Sequence, residues 1–488
     1  AIDEVRTQNK LCEGTICYTN DVTDSNEKKY TLKYYLDLVK DLEKAGANII
    51  AIKDMAGLAK PNAIKLLVKE IKNETNLPIH FHTHDTSGTS SASVLAAIEE
   101  NVDIVDLAID SMSGLTSQPA LGSVVSIMKQ NNHDPHLDEE SIRTLSLYWE
   151  QVRQNYQAFE TDFKGGSSDV YLHQMPGGQF TNLKEQARSL GITTDKWGLV
   201  ANTYAEVNKL FGDIVKVTPS SKIVGDMALY MIANDLGKED IIDPNKEISF
   251  PETVIEFFKG EIGIPYGGFP KQLQKKVLGD IKPLTKRPGE ILDSIDLEKE
   301  KENLENETGM NINENQLASF LMYPKVFKDF IDHYKEFSDT SILSTELFFY
   351  GPQQDKEYTI EMDKGKNLIL RYLAKSEVNS NGKCSVFFEI NGQPRTIDIE
   401  NKEFSKNISQ RAKADDNNND HVGSPLPGQV AKIFVQPGNK VIKGDKLLVI
   451  EAMKMETTIN AEKTGTVKSV NIVSGDNVET KDLLVEIN

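Results

Sequence analysis

Cysteine is scarce: Cys12, Cys17 and Cys384 are the only three in 488 residues. An odd count without metal-type spacing excludes a disulfide scaffold and points to a reducing compartment, the cytoplasm. Long apolar runs are missing too. No stretch approaches the roughly 20 residues of a membrane span, and no signal-like leader opens the chain, so no membrane partner is expected. There is also no sustained basic run. With a net charge of −19, the chain lacks the electrostatic footprint for nucleic acid or an anionic membrane. The first residue is Ala1 rather than Met, which suggests a processed or truncated start. What remains is ordinary globular composition, 39% hydrophobic and 26% charged, with room for roughly three or four domains.

Four apolar, β-rich runs open the chain: GTICYT (14–19), ANIIAIKDMAG (47–57), LPIHFHTHDT (77–86) and VDIVDLAID (102–110). Between them, TLKYYLDLVKDLEKAG and PNAIKLLVKEIKNE repeat their apolar residues at three and four, the helical period. The alternation predicts buried parallel strands in an α/β fold. Polar residues crowd the strand ends, as at the carboxyl mouth of a TIM-type β/α barrel. Four strands cannot close eight, so residues 1–137 read as the second half of such a barrel. A helical extension is expected over 138–310. An α+β middle domain over 311–412 follows, with strand–turn–strand units in YTIEMDKGKNLILRYL and around Asn391-Gly392. The polar stretch 413–424 reads as a linker that reaches about 20 Å if flexible.

The last segment, 425–488, contains a repeat. PGQVAKIFVQPGNKVIKGDKLLVIEA aligns with TGTVKSVNIVSGDNVETKDLLVEIN, pairing Gly428 with Gly465 and Gly438 with Gly475. Two similar all-β halves predict a pseudo-twofold sandwich, with AMKM in a tight turn at their junction. Lys454 is then either a plain surface lysine or one displayed for modification. The module resembles the biotinyl/lipoyl carrier domains. Met453 and Met455 flank the lysine as in biotin carriers, which implies covalent biotin on Lys454.

HFHTHD is the second chemical motif. On a strand, His80, His82 and His84 share a face, and two of them can ligate one metal through neutral nitrogens. Hydrogen-bonded structural histidines are the competing reading. Lys53 ends the preceding strand. It could be a metal ligand only as a carbamate, and the alternative is an ion pair with Asp54 or Asp85.

AIKDMAGL, HTHDTSG, SMSGLTSQP, MPGGQFTNL and GDIVKVTPSSKIVGDMALYM together resemble the carboxyltransferase domain of biotin-dependent carboxylases. KGEIGIPYGGFP, FFEINGQPR and EAMKMET narrow the resemblance to the pyruvate carboxylase family. It implies transfer of a carboxyl group from biotin to pyruvate, giving oxaloacetate. It further implies a divalent metal (Mn, Zn or similar) held by His82, His84 and carbamylated Lys53. Thr218 is implied as the proton relay between biotin and pyruvate, and Ser221 as a biotin contact on the same loop. His80 is left as a structural residue. Implied partners are a biotin protein ligase, a biotin carboxylase domain that uses ATP and bicarbonate, and three further copies in a homotetramer assembled through 311–412. An oxaloacetate decarboxylase or transcarboxylase subunit, or a non-catalytic biotin carrier, would share parts of this pattern. The family's biotin carboxylase domain, one aspartate metal ligand and the arginine and glutamine that grip pyruvate have no counterpart in these residues.

Overall fold

The computed structural model describes all residues except 379–381, 401–411, 416–417 and 453–454. The chain divides into two compact units, 1–290 with 412–488, and 291–411.

In the first unit, β1 (Glu13–Cys17), β2 (Ile49–Asp54), β3 (Ile79–Thr83) and the short β4 (Ile104–Val105) form a parallel sheet in chain order. Helices α1 (Leu32–Ala45), α2 (Pro61–Glu74) and α3 (Ser90–Glu99) connect them, as the periodicity predicts. Thr31 caps α1 by accepting from the Tyr34 amide, and Gly46 ends it at φ 96°, a conformation glycine adopts without Cβ strain. Pro61 starts α2 at the first helical position, where its missing N–H costs nothing. The two faces of the sheet differ sharply. Ile16, Ile50, Ile52, Ile79 and Phe81 are buried with Val39, Leu67 and Val94 of the helices, each contributing about 1.5–3 kcal/mol. The other face carries Glu13, Cys17, Lys53, His80 and His82.

Residues 177–278 supply a second core. Helices α4 (Gly177–Ser189), α5 (Trp197–Leu210) and α6 (Ser220–Ala233) pack Phe180, Leu183, Tyr204, Val207 and Met227 together.

The second unit begins earlier than the boundary at 310/311 expected from sequence. Helix α7 (Leu297–Thr308) buries Leu304 against Ile312, Leu317, Phe327 and Ile331, so it belongs with α8 (Glu314–Met322) and α9 (Pro324–Phe337). A four-stranded antiparallel meander follows: β5 (Glu357–Asp363), β6 (Lys366–Lys375), β7 (Lys383–Ile390) and β8 (Gln393–Glu400). Asn391 and Gly392 turn β7 into β8 with φ 50° and 77°, the left-handed pair a two-residue hairpin requires.

The carboxyl-terminal strands are β9 (His421–Gly423), β10 (Gly428–Ile433), β11 (Lys440–Val441), β12 (Lys446–Ala452), β13 (Met455–Asn460), β14 (Gly465–Val470), β15 (Asn477–Val478) and β16 (Leu483–Ile487). Their two sheets run β13-β12-β10-β15 and β9-β16-β14-β11. Adding four to each strand number (modulo eight within the module) turns one order into the other, which is the expected pseudo-twofold. The repeated glycines have matching causes. A Cβ on Gly428 would lie 2.5 Å from the Glu451 carbonyl oxygen, and one on Gly465 would lie 2.1 Å from that of Asn488. Gly438 and Gly475 both turn the chain at φ 93° and 94°.

One expectation is corrected. The stretch 413–424 is not a free linker, because β9 lies within it and pairs with β16. Lys413 also forms a 2.8 Å ion pair with Asp482, and the Ala414 amide donates to Lys481 O at 2.7 Å. Low complexity hid a strand whose partners lie far along the chain.

Candidate functional site

The sheet's polar face sets the site. Cys17, Lys53 and His82 are register neighbours across β1, β2 and β3. His82 and His84 converge, with Nε2 atoms 3.2 Å apart. The far nitrogen of each ring is anchored. His82 Nδ1 lies 2.7 Å from Asp106 Oδ2, and His84 Nδ1 lies 2.7 Å from the Thr116 carbonyl oxygen. A carbonyl can only accept, so His84 Nδ1 carries the hydrogen and the neutral ring turns an Nε2 lone pair toward His82. The Asp106 carboxylate orients His82 in the same sense, the arrangement that supports metal-ligating imidazoles. Burial lowers the pKa of His84, the neighbouring His82 and Lys53 lower it further, and the Thr116 bond opposes them.

Two imidazole nitrogens on one divalent ion, each about 2.0–2.1 Å away, sit about 2.9–3.4 Å apart between octahedral and tetrahedral angles. The observed separation falls inside that range, so these side chains fit a divalent metal. Among the described residues no cluster of three or more His, Cys, Asp or Glu is suited to a metal. Lys53 is in register with His82 on the same face of the sheet. The alternative ion pairs of Lys53 are not formed. Asp54 is fully buried and accepts from the amides of Leu58 and Ala59 and from Thr83 Oγ1. Asp85 accepts from the Ser90 amide.

His80, expected to be structural, lies against two carboxylates. Its Nδ1 lies 2.9 Å from Glu13 Oε2. Its Nε2 lies 3.0 Å from Asp106 Oδ1 at an angle that makes no hydrogen bond. Burial alone would lower its pKa, but the two carboxylates outweigh it and raise the pKa.

The start of α4 closes one side. The Gly177 amide donates to Met55 O at 2.8 Å. A Cβ on Gly177 would sit 2.8 Å from His84 Nδ1 and 2.9 Å from Thr116 O. This glycine of MPGGQF is what lets the helix approach the imidazole.

Thr218 is exposed, immediately before Pro219, which holds the N-cap of α6 without a side-chain bond. No hydrogen bond of its hydroxyl is found among the described residues. Ser220 does the local bonding instead: its Oγ accepts from the Val217 amide at 3.1 Å and lies 2.7 Å from Val215 O. Ser221 is not on the loop with Thr218 but in the first turn of α6, buried, with its carbonyl 3.4 Å from Tyr204 Oη. Lys216 is buried beneath the loop, and burial pushes its pKa down to about 8, with Asp213 pulling it back. Lys454 and Met453 lie outside the described residues, between β12 and β13. Those strands pair antiparallel as far as Ala452 and Met455.

Sequence reasoning missed Asp106 and Thr116. Asp106 was within sight, a carboxylate at the end of VDIVD. The Thr116 contribution is a backbone carbonyl and leaves no mark in side-chain identity.

Three family profiles match in succession: "HMGL-like" over 14–148, "Conserved carboxylase domain" over 170–371 and "Biotin-requiring enzyme" over 420–487. The chain is 44% identical to pyruvate carboxylase of Bacillus subtilis and 45% identical to that of Staphylococcus aureus, over all of its own length and 42% of each relative. Among solved structures, it resembles the carboxyl transferase domain of Rhizobium etli pyruvate carboxylase with pyruvate. The TM-score is 0.77 and the identity 52%, over 82% of this chain and 67% of that one. It also matches the complete multifunctional enzyme of that organism (TM-score 0.76, 50% identity), over 99% of this chain and 44% of that one. No helix among the described residues is long and apolar enough to cross a membrane. With a strand–helix sheet, a helical extension and a biotin-type sandwich in the order its relatives share, the chain belongs to the pyruvate carboxylase family.

Proposed function

We propose that this chain carries out carboxyl transfer between biotin on Lys454 and pyruvate, forming oxaloacetate, within an enzyme whose biotin carboxylase activity uses ATP and bicarbonate. The observation that carries the proposal is the pair of anchored imidazoles with Nε2 atoms 3.2 Å apart at the carboxyl edge of a parallel sheet. Biotin, when attached, supplies a movable carboxyl carrier. A divalent metal held by His82, His84 and carbamylated Lys53 would supply a Lewis acid for the keto oxygen. Asp106 and Thr116 keep both imidazoles aimed at that position. Thr218 holds a hydroxyl that can accept and donate a proton, and it would pass one between the pyruvate methyl group and the biotin nitrogen. Ser221, buried in the first turn of α6, would serve as a biotin contact near Thr218.

Assembly into a homotetramer through the second unit fits the exposed apolar stripe Val326, Phe330, Tyr334 and Phe337 on α9, which recurs at helical spacing. A reducing compartment, the cytoplasm, fits three free thiols. A biotin protein ligase would be the partner that reads the β12–β13 hairpin. Co-expression with such a ligase, followed by peptide mass spectrometry, is expected to place biotin on Lys454 alone and to leave Lys454→Arg unlabelled. Label on another lysine, or on the variant, would contradict the carrier assignment.

A further inference from the structure

We propose that Asp213 is a positioning residue that locks the Thr218 loop to the segment following β1. The inference rests on reading Thr218 as the proton relay. Thr218 itself is exposed and has no hydroxyl bond among the described residues, so its place is inherited from the two ends of its loop. Ser220 and α6 fix the downstream end. Asp213 fixes the upstream end, where the chain leaves α5. Gly212 and Asp213 are successive left-handed residues, with φ 94° and 54°. For an aspartate this conformation needs support from its neighbours.

That support comes from both sides. Asn208 Nδ2, on α5, donates to Asp213 Oδ1 at 2.8 Å, and its Oδ1 accepts from the Ile214 amide at 3.2 Å. Asn20 Nδ2, just past β1, donates to Asp213 Oδ2 at 3.1 Å. Lys29 Nζ and Tyr30 Oη donate to the Asp213 carbonyl oxygen at 2.9 Å and 2.7 Å. Asn20 is held in turn, because its Oδ1 accepts from Gln174 Nε2 at 2.8 Å. One residue thus receives four hydrogen bonds from two directions, and both carboxylate oxygens are used. The loop after β1 and the loop bearing Thr218 become one piece at the carboxyl edge of the sheet. A misplacement of about 1 Å at a reacting group can cost about 10²-fold in rate, so this tether bears on chemistry as well as folding.

The test uses Asp213→Asn in the enzyme that contains this chain, with Asn20→Ala as a milder variant should the first fail to fold. Amide hydrogen exchange over 214–218 is expected to quicken by about tenfold or more while α5 and α6 keep their protection. Pyruvate–oxaloacetate isotope exchange should lose about 10²-fold in kcat with KM for pyruvate changed by less than about twofold. Combining Asn208→Asp with Asp213→Asn restores one donor–acceptor pair and should recover part of both signals. Wild-type amide exchange over 214–218 in both single variants would overturn the proposal, as would a loosened loop with wild-type kcat. Failure of the relay reading would show separately, as a fully active Thr218→Ala enzyme, and the amide exchange of the Asp213 variants does not depend on it.

Discussion

Thr218→Ala is expected to lower oxaloacetate formation by about 10²–10⁴-fold, the usual cost of losing a positioned proton-transfer group. Its melting temperature should stay nearly unchanged. The structure sharpens this contrast. Were Thr218 a helix cap, its removal would cost about 1 kcal/mol of stability. The cap position of α6 belongs to Pro219, however, and makes no side-chain bond. The bonds that do shape the turn come from Ser220, whose Oγ lies 2.6 Å from Val217 O. Deleting the Thr218 hydroxyl therefore removes no observed contact, and a large kinetic loss would have to arise from chemistry. Thr218→Ser keeps the hydroxyl and should keep part of the activity. ATP-dependent carboxylation of biotin by the enzyme containing this chain should be unaffected if Thr218 serves carboxyl transfer alone. Near-normal oxaloacetate output from Thr218→Ala would eliminate the relay.

The second large effect concerns metal. His82→Ala or His84→Ala in the enzyme containing this chain is expected to abolish stoichiometric divalent metal, measured by elemental analysis after desalting. Each substitution removes one of two nitrogens that meet at 3.2 Å. Lys53→Ala should do the same if its carbamate is the third ligand. Asp106→Asn leaves both imidazoles in place but weakens the group that orients His82. It should cost about 10–100-fold in metal affinity, the usual range for such partners. His80→Ala is the comparison. His80 bonds Glu13 and reaches the imidazole pair only through Asp106, so metal content should fall far less than in His82→Ala or His84→Ala. Stoichiometric metal in all of His82→Ala, His84→Ala and Lys53→Ala would show that the ion is held elsewhere.

Much of this arrangement was legible in the residues, and the reasons differ by element. The parallel strands announced themselves because both their burial and their helical connections leave periodic marks. HFHTHD could be placed on one sheet face from the two-residue repeat alone. The glycine pairs of the terminal module were visible as a repeat, and the structure supplies the cause in carbonyls that approach Gly428 and Gly465. What stayed hidden depends on contacts distant in sequence. Thr116 acts through its carbonyl, Asp213 through bonds to Asn20 and Tyr30, and β9 through pairing with β16. The boundary near 290 was hidden in the same way, because Leu304 has no partner within its own helix and finds one beyond it.

Carboxyl transfer between Lys454-linked biotin and pyruvate is the centre of this account. Exchange of isotopic label between pyruvate and unlabelled oxaloacetate tests it most directly, since that exchange needs the carboxyltransferase site and the carrier but neither ATP nor bicarbonate. With the biotinylated, metal-loaded enzyme containing this chain, label should pass from pyruvate into oxaloacetate, and Lys454→Arg should reduce the passage to background. Exchange that continues undiminished in Lys454→Arg, or that is missing from the fully biotinylated enzyme, would contradict the account.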